Sequence, residues 1–296
     1  MSEAMKQNGS KAAPGAARSG KMDQIGNRFR FSARRTGLYS TKYDAGEDDA
    51  NDSESPMRIS LCTTCRNRAY QLKRVFDQNL SNILALDDVE WVILNYNSCD
   101  DLHSFMLSRL SEGKEKIVYI RERSAPSWHS SIAKNIAHRA AAGDILMNLD
   151  CDNYLDDALA IIRSKFRGKI GGLHLWSGRS GDGTYGRIAV KREYFLKVGG
   201  YDESFYPMAY QDTDLLGRLS AMGVLIKQYS CGHRTALTNT KTDSILNCRT
   251  EGMTWRQFYS ANRNQSLANL QAGNLIANVG HEWGTGDLEF FTTVPR

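Results

Sequence analysis

The sequence predicts an α/β protein: a mostly parallel central sheet with helices on both faces. Three observations predict it. From Met57 to Leu149, short apolar runs with strand character alternate with stretches of helical spacing. The connections between them are short. Three of the strand-like runs end in polar clusters, at 63–67, 95–101 and 150–153. In parallel sheets of this kind ligands bind beyond the carboxyl ends of the strands, so the clusters are expected to converge.

The elements follow in order. Arg58-Ile-Ser-Leu-Cys-Thr-Thr64 reads as the first strand, and 69–80 carries helical spacing through Leu72, Val75, Phe76 and Leu80. Val89-Glu-Trp-Val-Ile-Leu94 is the next strand, followed by the polar turn Asn95-Tyr-Asn-Ser-Cys-Asp100. A helix then runs through Leu102, Phe105, Met106 and Leu110. Lys116-Ile-Val-Tyr-Ile120 is a third strand, 130–142 a helix ended by Gly143, and 144–149 a fourth strand. In the second half, 171–178 and 186–191 suggest strands flanking a Gly-rich loop. The run 209–218 enters a helix. The chain after Asp243 reads as helical and polar, anchored by Trp255, Phe258 and Tyr259.

Composition bounds the function classes. With 296 residues, 41% of them hydrophobic, the chain can form one large or two small domains. Its formal charge of +5 falls short of a nucleic-acid-binding signature but suits anionic substrates or an anionic membrane surface. There is no apolar stretch long enough to span a bilayer. Lys6, Lys11, Arg18 and Lys21 precede no apolar run, so no secretory signal is expected. Six scattered cysteines then read as reduced thiols in a cytoplasm. Cys62-Thr-Thr-Cys65 lacks a second ligand pair and lies within a strand pattern, which favours packing over redox or zinc chemistry. Residues 1–56 are polar and Gly-rich and read as a tail or linker. Within them, 28–35 is basic and aromatic: either a docking segment or an anchor for a membrane surface or anionic glycan.

The chemistry concentrates at Leu149-Asp-Cys-Asp152. Side chains two apart in an extended segment share a face, and two carboxylates there repel unless a cation lies between them. Hard oxygen ligands suit Mg²⁺ or Mn²⁺, ions that also carry substrate phosphates. Turn capping by Asp150 and Asn153 is the plainer alternative. Gly181-Asp-Gly-Thr-Tyr-Gly186 fits a dinucleotide-binding pattern, but a strand-like run follows where a helix would be needed, so it reads as a flexible loop over a ligand.

Several segments together resemble a glycosyltransferase of the GT-A (Rossmann-like) fold, close to the inverting family 2 type. They are Ile59-Ser-Leu-Cys-Thr-Thr64, Asn95-Tyr-Asn-Ser-Cys-Asp100, Ser131-Ile-Ala-Lys-Asn-Ile-Ala137, Leu149-Asp-Cys-Asp152, and Gly199-Gly-Tyr-Asp202 with Gln211-Asp-Thr-Asp-Leu215. The Asp-Cys-Asp form and the last segments are similar to bacterial chondroitin and hyaluronan polymerase modules and to galactosyl- and N-acetylgalactosaminyltransferases. Two positions depart from the pattern: asparagine stands at 95 and 97 where an acid usually faces uracil, and Gln211 replaces a glutamate.

The resemblance implies a single catalytic domain over 57–240 and a helical extension over 241–296. It implies a UDP-sugar donor bound by Thr63, Thr64, Arg66, Asn95, Asn97, Lys134 and Asp150. It implies Mn²⁺ (or Mg²⁺) on Asp152 and Asp150, with His233 as a third ligand and His281 as its rival. Asp212 is the implied general base, and Trp176, Tyr206, Gln211 and Asp214 the implied acceptor or sugar contacts. The acceptor would be a glycan or glycolipid, not a nucleic acid, with peripheral membrane association at the inner face. Two other readings stand beside this one: a catalytically silent nucleotide-sugar or glycan-binding module, and a nucleotidyltransferase.

Overall fold

A computed structural model describes residues 57–113, 115–179, 181–230 and 236–292. The expectations for the 1–56 tail, its 28–35 segment and His233 fall outside these residues.

The first half follows the predicted alternation. In chain order come β1 (Ile59–Cys65), α1 (Ala69–Ile83), β2 (Val89–Tyr96), α2 (Leu102–Arg109) with a 3-10 turn at Leu110–Gly113, β3 (Ile117–Glu122), α3 (Ser130–Ala140) and β4 (Ile145–Asn148). β1, β2, β3 and β4 are mutually parallel, with Ile59 opposite Val89 on one side and Ile145 on the other. Strand residues are buried on both sides of the sheet, as strands under two helical layers must be. Ile59, Leu61, Trp91, Ile93, Tyr119 and Met147 pack on one face against Leu72, Phe76 and Leu80 of α1 and Met106 of α2. Cys62, Val92, Leu94, Ile120 and Leu146 pack on the other face against Ala133, Ile136 and Ala137 of α3. Cys62 and Cys65 therefore lie in opposite core layers as packing residues, without forming a C-x-x-C site.

The second half extends the sheet. It adds α4 (Ala158–Lys165), β5 (Gly172–His174), β6 (Ile188–Lys191), α5 (Arg192–Lys197), α6 (Gln211–Ala221), β7 (Ile226–Gln228), α7 (Lys241–Ile245), α8 (Trp255–Gln271) and β8 (Leu288–Thr292). The eight strands lie in the order β7-β5-β6-β4-β1-β2-β3-β8. β6 runs antiparallel to β4, and β8 antiparallel to β3.

β8 differs from the expected all-helical extension. Leu288-Glu-Phe-Phe-Thr292 alternates outward Phe290 with Phe291, which packs 5.4 Å from Tyr119 and 5.3 Å from His103. The tail thus returns to cover the β3 edge, whose backbone groups would otherwise lack partners. On the way it passes over the turn after α5. A Cβ on Gly199, whose φ is +72°, would meet the Ala277 carbonyl oxygen at 2.1 Å, so only glycine fits there.

Candidate active site

The carboxyl ends of β1 and β4 open into a cleft of about 290 Å³. Thr64, Asp150 and Asp152 lie on its wall. Asn148, the last residue of β4, donates to Asp150 Oδ1 at 3.0 Å and to the Gly186 carbonyl at 2.8 Å. A Cβ on Gly186 would lie 2.5 Å from Asp150 Oδ2, so this glycine lets the 176–187 loop lie against the carboxylate. Asp152 is 8% exposed. Burial, then the facing Asp150, pushes its carboxyl up to about 6. Its Oδ1 accepts from Asn153 Nδ2 at 2.6 Å and its Oδ2 from Asn239 Nδ2.

Across the cleft, α3 and α6 bring Lys134 and Asp212 together. Lys134 is buried, and its ammonium lies 2.8 Å from Asp212 Oδ1 and 3.7 Å from Asp150 Oδ1. Burial works against its charge, but Asp150 and Asp212 outweigh that and raise it above the ordinary lysine range. Asp212 sits in the first turn of α6, behind two non-glycine residues in left-handed conformation, Ala209 (φ 77°) and Tyr210 (φ 68°). Such a pair costs conformational energy and persists only when neighbours hold it. Asn262 of α8 holds it here. Its amide donates to the carbonyls of Tyr206, Met208 and Ala209 at 2.8–3.1 Å and accepts from Tyr206 N at 2.8 Å.

A segment from 236 to 247 forms a further wall. Leu237 N donates to the Asp152 carbonyl at 2.9 Å, and Arg68 reaches the Asp243 carbonyl at 2.7 Å. Asn247 accepts from Asn67 Nδ2 at 2.7 Å and through its carbonyl from Trp128 N at 2.7 Å. Arg68, Trp128, Tyr185, Asn239 and Lys241 all line the cleft, and sequence reasoning singled out none of them. They carry no spacing signal, because they come from four separate stretches joined only by the fold.

The same fold occurs in known proteins. No protein-family model matches the chain, and no curated protein does either. Solved structures do. A mannosyltransferase from Pyrobaculum calidifontis, in complex with GDP-Man and Mn²⁺, is similar at 18% identity and a TM-score of 0.55, over 76% of this chain and 66% of that one. The chain therefore spans just under two thirds of that relative's length. Residues 1–349 of TarS from S. aureus, in complex with UDP-GlcNAc, match at 14% identity and a TM-score of 0.53, over 76% and 68% of the two chains. Glucosyl-3-phosphoglycerate synthase from Mycobacterium tuberculosis, in complex with Mn²⁺, UDP and phosphoglyceric acid, matches at 16% identity and a TM-score of 0.51, over 80% and 86%. The chain has the GT-A fold.

Within the GT-A cleft, Thr64, Arg66, Lys134, Asp150, Asp152, Gln211 and Asp212 are brought together as the sequence suggests. Arg66, however, also holds backbone: it donates to the carbonyls of Tyr96, Ala125 and Pro126 at 2.9–3.1 Å. Six other expected contacts lie elsewhere. Thr63 is buried beneath the cleft, donating to the Leu149 carbonyl at 2.7 Å and accepting from Trp91 at 2.9 Å. Asn95 is 1% exposed and bonded to Tyr119 and to Ser98 N, while Asn97 donates to the Ala125 carbonyl. Asp214 is buried in an ion pair with Arg218 at 2.7 Å, so its carboxylate cannot meet an acceptor. Trp176 packs on Tyr185 at 5.1 Å, and it is Tyr185 that faces the cleft. Tyr206 stacks on Phe258 and borders a separate depression with His129 and Arg249.

His281 is exposed and off the cleft wall. Among the described residues no group of three or more His, Cys, Asp or Glu could hold a metal ion. The first amides of α3 are also engaged: Ser130 N with the Pro207 carbonyl at 2.8 Å and Ile132 N with His129 at 3.5 Å. The 176–187 loop is knotted through Asp182, which accepts from Thr184 and Ser177 and binds Ala236 N through its carbonyl.

Proposed function

We propose that this chain is a metal-dependent, inverting glycosyltransferase of the family 2 type. It moves a hexose or N-acetylhexosamine from a UDP-linked donor to a hydroxyl of a glycan or glycolipid. The observation that carries this reading is the line Asp152, Asp150, Lys134, Asp212 across one cleft at the carboxyl ends of parallel strands. The fold supports it, as do the nucleotide sugars and Mn²⁺ named with the similar structures.

Each residue has a role in this reading. Asp152, with Asp150, fits a hard divalent cation: two facing acids, one nearly buried, whose repulsion a cation relieves. When bound, Mn²⁺ (or Mg²⁺) would act as a Lewis acid toward the departing nucleoside diphosphate. Lys134 adds a fixed positive charge where that diphosphate gathers negative charge. Asp212 takes the proton from the acceptor hydroxyl, and inversion needs it on the face opposite the leaving group. Its contact with Lys134 couples acceptor and donor sides, because a diphosphate that draws the ammonium toward itself frees the carboxylate. Trp128 and Tyr185 supply ring faces for base or sugar. A peripheral site at the inner membrane face fits a glycolipid acceptor, and among the described residues no helix is long and apolar enough to cross a membrane.

The test is nucleotide release from a panel of UDP-, GDP- and dTDP-sugars, with Mn²⁺ or with EDTA. The expected result is Mn²⁺-dependent release of UDP from one donor, absent in Asp152→Ala and Asp212→Asn. Pyrophosphate release from a nucleoside triphosphate with a sugar 1-phosphate, without release of UDP from any donor, would make the chain a nucleotidyltransferase. Metal-dependent UDP-sugar binding with no turnover under any acceptor would make it a binding module.

A further inference from the structure

Both oxygens of Asp152 already accept a hydrogen bond from an asparagine amide, and the two asparagines differ in one respect. Asn153 is locked. Its Oδ1 accepts from Arg187 Nε at 2.5 Å, and a guanidinium has donors only, so the Asn153 NH₂ must face Asp152. Asn239 is not locked. Its Oδ1 accepts from Gln71 Nε2 at 2.6 Å, and Gln71 is itself an amide. Gln71 is 2% exposed and its Oε1 is buried with no partner among the described residues, so among them no other bond fixes which way round that amide lies. If both amides turn over, the Gln71–Asn239 bond reforms with donor and acceptor exchanged, and the one bond given up is that from Asn239 Nδ2 to Asp152 Oδ2.

The turned pair presents Asn239 Oδ1, not its NH₂, to Asp152 Oδ2. Two oxygens facing each other repel, so water alone favours the arrangement seen here. A divalent cation reverses the preference, because an amide oxygen and a carboxylate are both hard ligands for it. We infer that Asn239 is a ligand of the divalent cation held by Asp152 and Asp150, switched into place by reversal of the Gln71–Asn239 amide pair. This rests on the metal-site reading above. It supplies an oxygen ligand from the 236–247 segment, so that cation binding itself fastens this wall of the cleft.

The experiment is Mn²⁺ binding to the full chain with UDP present, counted by the EPR signal of free Mn²⁺. Asp152→Ala is the control for the site itself. Asn239→Ala is expected to weaken Mn²⁺ binding roughly tenfold or more, and Asn239→Asp, which keeps an oxygen at that position, to retain it. A second readout is independent of affinity. Protein labelled with ¹³Cγ asparagine should show a ligand-range ¹³C coupling in the ENDOR spectrum of bound Mn²⁺, lost in Asn239→Asp although the ion stays. If Asp152→Ala abolishes binding while Asn239→Ala leaves it unchanged, or the coupling persists in Asn239→Asp, the assignment of Asn239 is overturned and the metal site stands. If the wild-type chain binds no Mn²⁺, or Asp152→Ala binds it normally, the metal site falls and Asn239 with it.

Discussion

Two polar turns follow the strands on either side of β1, and they have opposite fates. The turn after β2, 95–100, closes on itself and on α1: Asn95 holds Ser98 N and Tyr119, Ser98 accepts from Asn67 N, and Asp100 accepts from Ala69 N. The turn after β4, 150–153, keeps Asp150 and Asp152 on the wall of the cleft. By composition the two look alike, and both lie where a parallel sheet binds ligands. What separates them is charge and place: the neutral Asn95 amide is completed beneath the surface, whereas two carboxylates share the turn after β4 and line the cleft even though each accepts hydrogen bonds. A neutral side chain whose bonds are completed is structural, and paired acids on a cleft wall keep a negative charge for a cation.

The comparison predicts effects of different kind and size. The largest is expected at Asp212: Asp212→Asn should lower turnover by roughly 10²–10⁴-fold while Mn²⁺-dependent UDP binding persists, as steady-state kinetics and calorimetry would show. Loss of UDP binding along with turnover would place Asp212 on the donor side. Asn262→Ala comes next. It removes the partner of four backbone groups in the strained turn before Asp212. A stability loss of about 2–3 kcal/mol is expected, with turnover falling in the surviving folded protein and UDP affinity intact; denaturant melts and kinetics measure both.

On the structural side, Asn95→Ala should cost about 1–3 kcal/mol of stability in a thermal melt and leave UDP affinity unchanged. Weakened UDP binding would return Asn95 to the donor site.

The smallest effect concerns pH. His138 is buried against Phe195, and burial, with the nearby Lys134 charge, lowers its pKa from the ordinary 6.5 to about 3. It is neutral in the fold, so between those values the unfolded chain binds the extra proton. Stability therefore rises with pH across that window and is lost on acidification, by about 2 kcal/mol near pH 5. His138→Gln should flatten this part of a stability-against-pH curve, and an unchanged slope would assign the acid sensitivity elsewhere.

Much of this was legible in the chain. Alternation over 58–149 located the strands to within a residue or two, because every strand there is buried on both faces and reads as an apolar run. Asp150, Asp152, Lys134 and Asp212 were legible through local motifs. The rest depends on hydrogen bonds between distant segments. Nothing near Asn95 in sequence tells that Tyr119 completes it, and nothing near Asp214 tells that its helix turns it inward onto Arg218. Likewise Asn239 gains meaning only from Gln71, 168 residues away. β8 escaped because a five-residue edge strand after a long helix carries too short an alternation to stand out from a polar tail.

The most direct measurement is calorimetric titration of UDP with Mn²⁺ into the wild-type chain, Asp152→Ala and Asn95→Ala, each repeated in EDTA. We predict binding to the wild type that EDTA abolishes, loss of at least about tenfold in affinity in Asp152→Ala, and wild-type affinity in Asn95→Ala. Wild-type affinity in Asp152→Ala with loss in Asn95→Ala would contradict the account and move the donor site to the turn after β2.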